Sequence, residues 1–354
     1  MLCRTLRFTV VCLAATLLPA VDLLAQARSS TQQQRSRRSQ RVRMEEIVIS
    51  SPGGGVQLRF LPNAERLMFD VTMAGKAVLD PSPVVMRLDH FDLSAGVVLG
   101  EVERSEIRES YPWRGAKSTA VNACNGARIH LNNDLSEIDY IIEARAFDDG
   151  VAFRHVIPGD EWISRVPDEY TTFVIPAGST VWRHDLAVHY ESEYERDNAA
   201  EVPAGDWAGP PITFKLPDGA GHASITEANL VGYSGMALES DGRRGWIVGL
   251  GHRQPLNYAF ELRYGRDEAK RLARPAAIPG AITTPWRVVL VGGDLHTLVN
   301  STVLPNLCPP PNKGLFPKGP ATEWTLSCWC GQTGLTRRSP ALLSFFASSR
   351  PCRW

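Results

Sequence analysis

The sequence predicts an all-β fold, two stacked and mainly antiparallel sheets forming a sandwich, and three observations carry that expectation. Apolar side chains alternate with polar ones at Val56, Leu58 and Phe60, at Leu67, Phe69, Val71 and Met73, at Ile129 and Leu131, and at Tyr258, Phe260, Leu262 and Tyr264. A period of two puts such side chains on one face of a sheet and leaves the other face wetter. Turn signals separate the runs: Pro52-Gly53-Gly54-Gly55, Asp148-Asp149-Gly150, Pro217-Asp218-Gly219 and Asp241-Gly242. Many short strands punctuated in this way belong to a sandwich. The 354 residues are 44% hydrophobic, enough to bury a sizeable core.

Taken in chain order, the first segment reads as an export signal. Arg4 and Arg7 precede an apolar run from Phe8 to Leu18, and Ala25-Gln26-Ala27 offers a small-residue cleavage pattern, which sets the signal at residues 1–27. A membrane anchor needs about 20 apolar residues, and Pro19 and Asp22 interrupt this run too early. The expected destination is the periplasm, with no membrane attachment after cleavage. Residues 28–46 carry Arg28, Arg35, Arg37, Arg38, Arg41 and Arg43 with no acid before Glu45, and read as a disordered Arg/Gln/Ser tether. A nucleic-acid arm has similar charge, but export favours the tether. Over the whole chain 38 Lys and Arg balance 38 Asp and Glu, so no net field draws nucleic acid or anionic membranes.

Residues 47–292 form the predicted sandwich domain. Its clearest hairpin joins 140–147 to 151–156 through Asp148-Asp149-Gly150, where the glycine is expected to take the positive φ of a tight antiparallel turn. Trp286-Arg287-Val288-Val289-Leu290-Val291 is a near-continuous apolar strand. Gly292-Gly293 turns the chain, and Asp294 suits the N-cap of a short helix carrying Leu295, Leu298 and Val299. Pro309-Pro310-Pro311 and Pro317 mark residues 293–324 as a linker toward a further domain. Beyond Glu323 there is no Asp, Glu or Lys, whereas a soluble domain carries about 25% charged residues of both signs. Residues 325–354 read as an aberrant tail, basic or translated out of frame, and expected to be disordered.

Few side chains suggest chemistry. Cys3 and Cys12 leave with the signal and Cys328, Cys330 and Cys352 fall in the tail, so Cys124 and Cys308 remain in the body. An oxidising compartment permits a disulfide between them, but sequence alone does not show proximity. Cys328 and Cys330 have one residue between them, which is the wrong spacing for a zinc or redox motif. Glu191, Glu193 and Glu195 share a face if their segment is a strand, as a cation or sugar contact or as an ordinary solvated face. Trp182, Trp207 and Trp246 either stack on sugar rings or fill the core. Gly249-Leu250-Gly251 lacks the third glycine and the following helix of a nucleotide loop. The eight His are scattered, and no Ser/His/Asp or Cys/His arrangement is apparent.

Several segments together resemble glycoside hydrolase family 97, the α-glucosidases and α-galactosidases of bacterial periplasms. They are Ser50-Ser51-Pro52-Gly53-Gly54, Gly75-Lys76-Ala77-Val78-Leu79-Asp80-Pro81-Ser82-Pro83, the run from Arg145 to Arg154, Ile225-Thr226-Glu227-Ala228-Asn229-Leu230, and Thr284-Pro285-Trp286-Arg287-Val288-Val289. The resemblance covers about residues 46–324 and implies a β-supersandwich that precedes an eight-stranded α/β catalytic barrel. Such a barrel takes about 250 residues, so the expectation is a sandwich domain without its barrel. Glycoside hydrolysis needs two carboxyl groups flanking the scissile bond. The family sets them on barrel strands, so no catalytic residue carries over, and the chain is expected to be inactive alone. The resemblance also implies a metal ligand, Glu227, which in the family reaches across the domain junction to a calcium ion held mostly by barrel carboxylates. Calcium takes 6 to 8 oxygens, and Glu227 is otherwise an ordinary strand glutamate. The implied partners are α-glucoside or α-galactoside oligosaccharides. Two other functions compete: a stand-alone carbohydrate-binding sandwich, and a structural or interaction protein using an apolar, charge-rimmed surface.

Overall fold

The computed structural model describes residues 45–62, 66–113, 115, 117–186, 193–255 and 270–310. The segment read as an export signal, the segment read as a tether up to residue 44, the alternating run from Tyr258 to Tyr264 and the segment read as a tail, 325–354, lie outside the described residues.

Two large sheets form the body. The first contains, in spatial order, Ile47–Ser50, Val56–Pro62, Leu67–Met73, Lys76–Pro83, Thr172–Val174, Gly245–Leu250, Met236–Ser240 and Trp207–Ala208. The second runs Glu195–Asn198, Thr180–Arg183, Ile212–Lys215, His222–Ala228, Trp286–Gly292, Gly150–Ile157, Ile138–Phe147, Thr119–Asn133 and Val97–Pro112, with Ile282–Thr283 also paired to Gly150–Ile157. The strand pairings within both sheets are antiparallel.

The predicted alternation is what builds the core. Val56, Leu58, Phe60, Leu67, Phe69 and Val71 of the first sheet are buried, as are Ile129, Leu131, Phe153, Ile225, Val289 and Val291 of the second. Phe153 meets Phe60 and Phe69 edge-on, with ring centroids 5.9 and 4.9 Å apart, and Phe69 meets Phe173 in the same way at 5.8 Å. These edge-to-face contacts join the two layers.

The central hairpin forms as expected, but its glycine serves another purpose. Phe147 pairs with Gly150, so the loop is only Asp148-Asp149, and Gly150 is not among the positive-φ residues. Its missing side chain instead allows close approach, because a Cβ there would lie 3.0 Å from the Val289 carbonyl and 3.3 Å from Val303. Positive φ appears at Gly54, Asp218, Gly219 and Gly242, within the other predicted turns.

Asp294 caps the short helix Leu295–Val299, with its Oδ1 accepting from the Thr297 N–H at 2.8 Å. The chain beyond, within the stretch read as a linker, folds back over the outer face of the second sheet. Val303 and Leu307 pack there against Cys124, Phe147, Ala152, Trp286, Val288 and Leu290. Trp286–Gly292 is thus covered on both faces and buried at all seven residues, which explains its unbroken apolar sequence.

Candidate functional site

Glu227 is next to last in strand His222–Ala228 and pairs with Arg287 of Trp286–Gly292. Alternation turns both side chains to the inner face shared by Ile225, Val289 and Val291. The guanidinium of Arg287 donates from Nε and Nη2 to Oε2 and Oε1 of Glu169, at 2.9 and 2.8 Å, and from Nη1 to Oε2 of Glu227 at 2.7 Å. Glu227 also accepts from the Met236 N–H at 3.2 and 3.3 Å. Glu169 comes from the three-residue strand Pro167–Glu169, which pairs with Met86–Leu88. The side chains of Arg287 and Glu169 are 1% and 0% exposed, while Glu227 keeps 13%, so Glu227 is the edge of the triad that meets solvent. His155 and Tyr233 pack beside it. The His155 ring stacks on Tyr140 with centroids 6.2 Å apart, and the Tyr233 hydroxyl is buried near Glu169 without a well-aligned hydrogen bond.

The electrostatics follow from burial and one shared cation. Burial raises the Glu227 carboxyl above its ordinary range, and Arg287 counters this only in part. Burial acts on Glu169 too, but the charge and hydrogen bonds of Arg287, with His155, bring it net below the ordinary range. Burial works against the Arg287 charge, and the two carboxylates outweigh it, so the guanidinium stays charged. Desolvation lowers His155 to about 4, despite the attraction of Glu169. The arrangement is a desolvated ion triad with bidentate geometry on one side.

Glu227 alone supplies only part of what a calcium ion takes. Glu227 supplies one carboxylate, already engaged by a guanidinium, against the 6 to 8 oxygens calcium takes. Among the described residues no group of three His, Cys, Asp or Glu side chains is placed to hold a metal.

The remaining sequence candidates do not converge on this triad. Glu191 lies outside the described residues. Glu193 is exposed, and Glu195 opens strand Glu195–Asn198 and pairs with Arg183 at 2.8 Å. Arg183 also binds Asp197 and Asp206, both at 3.1 Å, so Glu195 belongs to a buried-arginine cluster at the sheet edge. Trp246 is core, Trp182 is half-buried with Arg196 over its ring, and Trp207 brings its ring edge against Gly249. A Cβ on Gly249 would stand 2.4 Å from the Trp207 ring. Gly249→Ala should therefore cost about 1–3 kcal/mol by overpacking, read as a lower urea midpoint, whereas an unchanged midpoint would show that Trp207 moves freely. Cys124 is buried and Cys308 is exposed, with no disulfide between them.

Sequence reasoning missed Glu169, and it quoted Arg287 without seeing its role. A charged residue inside the apolar run Trp286–Val291 was the available signal, because a buried cation demands a counter-charge. Nothing in sequence marked Trp162, which is 91% exposed.

Comparison with known proteins places this geometry in context. Residues 49–310 match a family model described as Glycosyl-hydrolase 97 N-terminal. The chain is 28% identical over 310 residues to a probable retaining alpha-galactosidase of Streptomyces bingchenggensis, covering 85% of this chain and 41% of the relative. It is 25% identical over 214 residues to a retaining alpha-galactosidase of Bacteroides thetaiotaomicron, covering 55% of this chain and 30% of the relative. Among solved structures it resembles a glycoside hydrolase family 97 enzyme of a Pseudoalteromonas species in complex with acarbose. That match has a TM-score of 0.64 at 22% identity, over 75% of this chain and 38% of the other. A beta-arabinopyranosidase matches with a TM-score of 0.60 at 24% identity, over 73% and 42%. The structural matches establish a shared fold. The chain thus spans well under half the length of the curated relatives it matches.

Proposed function

This chain belongs to the glycosyl-hydrolase 97 N-terminal family, and from that premise we propose that it is the support domain of an exported, periplasmic α-glycosidase. The whole enzyme would hydrolyse α-linked glucosides or galactosides. This domain would be inactive alone, because the part of the relatives it matches is their N-terminal domain and not the barrel expected to hold the catalytic acids. Its own contribution would be Glu227, held at one end of the sandwich and offered to a neighbouring catalytic domain. The observation that carries this reading is the combination of fixed geometry and residual exposure at Glu227. Arg287 and the Met236 N–H set its orientation, yet it remains the accessible member of the triad. When calcium is bound at such a junction it would neutralise the clustered carboxylates. Glu227 would be one oxygen donor among several supplied from elsewhere, since this chain alone does not assemble the set.

The reading is tested by assaying the purified chain on nitrophenyl α-glucoside and α-galactoside, and by titrating it with calcium in a calorimeter. No turnover and no tight calcium binding are expected from the chain alone. With a catalytic domain supplied in trans, Glu227→Gln should weaken calcium binding at least about tenfold. Hydrolysis at enzymic rates without a helper, or tight calcium binding by the isolated chain, would defeat the proposal.

A further inference from the structure

The loop that follows strand Gly150–Ile157 leaves the sandwich at the same end as Glu227. Pairing of Ala228 with Trp286 and of Phe153 with Arg287 brings the last residues of both strands to that end. The loop is unusually well tied. Arg165 Nη2 donates to the carbonyls of Pro158 and Gly280, at 2.7 and 3.1 Å. Gly159 packs so closely that a Cβ there would stand 2.0 Å from that nitrogen and 2.4 Å from the Gly280 carbonyl. Asp160 accepts from the Trp162 N–H through Oδ1 at 3.0 Å and from the Ile163 N–H through its carbonyl at 3.0 Å, and Gly280 N–H donates to Ile163 at 3.2 Å. Ser164–Arg165 then pairs with Ile278–Pro279.

Everything in this loop is fixed except what it displays. Trp162 is 91% exposed, although tryptophan is on average a highly buried residue. Its flanking side chains Asp160, Glu161 and Ser164 are exposed and polar. Asp160 keeps one carboxylate oxygen outside its bond to the Trp162 N–H. An indole face carried on a tied backbone and bordered by hydroxyl acceptors suits a sugar ring, whose C–H face is apolar and whose edge carries hydroxyl donors. A protein hot spot favours a pocket ringed by groups that exclude water, and here the exposed apolar neighbours within the loop are Pro158 and Ile163.

We propose that Trp162 is a carbohydrate-contact residue, stacking on a pyranose ring of an α-linked oligosaccharide while the Asp160 and Glu161 carboxylates accept from its hydroxyls. The sugar class rests on the support-domain reading, but the site does not need Glu227 or calcium. Its test uses the full chain, with maltotriose, panose and raffinose as probes, followed by calorimetry and by acrylamide quenching of tryptophan fluorescence. At least one sugar should bind weakly but saturably and should protect fluorescence from quenching. Trp162→Ala should weaken that binding by about tenfold or more, and Trp162→Phe should retain much of it. Both variants should melt with the wild type, since the side chain packs on little. Silence with every sugar, or equal binding by Trp162→Ala, overturns the proposal. So does a chain blind to sugars whose Trp162→Ala variant loses affinity for an added catalytic domain, because the ring would then be a protein anchor. Turnover by the chain alone would defeat the support-domain reading and leave this test unaffected.

Discussion

Arg287→Met should be the most damaging single substitution in the domain, costing about 3–5 kcal/mol or abolishing folding, because it strands two carboxylates around one lost cation. Methionine keeps the apolar stem of arginine but stops short of the guanidinium, so lost packing accounts for only part of this cost. The excess comes from Glu169, which is fully buried and takes both its close hydrogen bonds from this guanidinium. Glu227 is less exposed to the loss, since it retains the Met236 N–H and some solvent. Arg287→Lys should fall between, keeping charge but losing the two-point match to Glu169. Combining Arg287→Met with Glu169→Gln should recover part of the deficit, because the stranded charge is then gone. Urea denaturation at neutral pH measures all three against the wild type. If Arg287→Met alone costs no more than a volume-conserving core swap, the triad is not an ion triad in solution.

That triad also shows where sequence reading succeeds and where it stops. Periodicity found the strands that bury one face, such as Val56–Pro62 and Leu67–Met73, because burial writes itself into every second residue. It found no period in Val97–Pro112, a 16-residue edge strand whose sequence passes through Glu101, Glu103, Arg104, Glu106, Arg108 and Glu109. That strand is mostly exposed and is held by backbone pairing to Thr119–Asn133, which leaves no hydrophobic mark. Two-residue strands such as Trp207–Ala208 are too short to show a period at all. Gly150 was recognised as necessary for the wrong reason, since local sequence suggests turns but not the approach of Val303 from 153 positions away in the chain. Glu169 was invisible for a similar reason. Its partner lies 118 residues away, and only the fold brings them together. Glu227 could be named from a motif, but its engagement by Arg287 could not. Exposure, which separates Trp162 from the buried Trp246, is a property of the folded chain and not of the residue type.

Acidification should destabilise the domain from about pH 6.5 downward, well before most carboxylates titrate, and His155 is the reason. Its ordinary value is 6.5, and burial lowers it to about 4 in the folded chain. Between those values the unfolded chain takes up a proton that the folded chain refuses, so stability falls as pH falls. The slope approaches 1.4 kcal/mol per pH unit, and the integrated loss by pH 4 is about 3 kcal/mol. Glu169 adds a loss of the same sign at lower pH. Its folded value is depressed, so its stabilisation is complete above the ordinary carboxylate range and disappears as pH drops through the folded value. Glu227 has the opposite sign: its folded value is raised, so it binds a proton earlier when folded than when unfolded and offsets part of the decline. His155→Phe isolates the first contribution, because phenylalanine retains the ring stacked on Tyr140 and edge-on to Phe153 but cannot be protonated. Urea midpoints of the wild type should drop between pH 7 and pH 5, and those of His155→Phe should stay nearly level there and fall only below. Parallel curves for the two proteins would mean that His155 meets water in solution and that the interior beside the triad is wetter than its packing indicates.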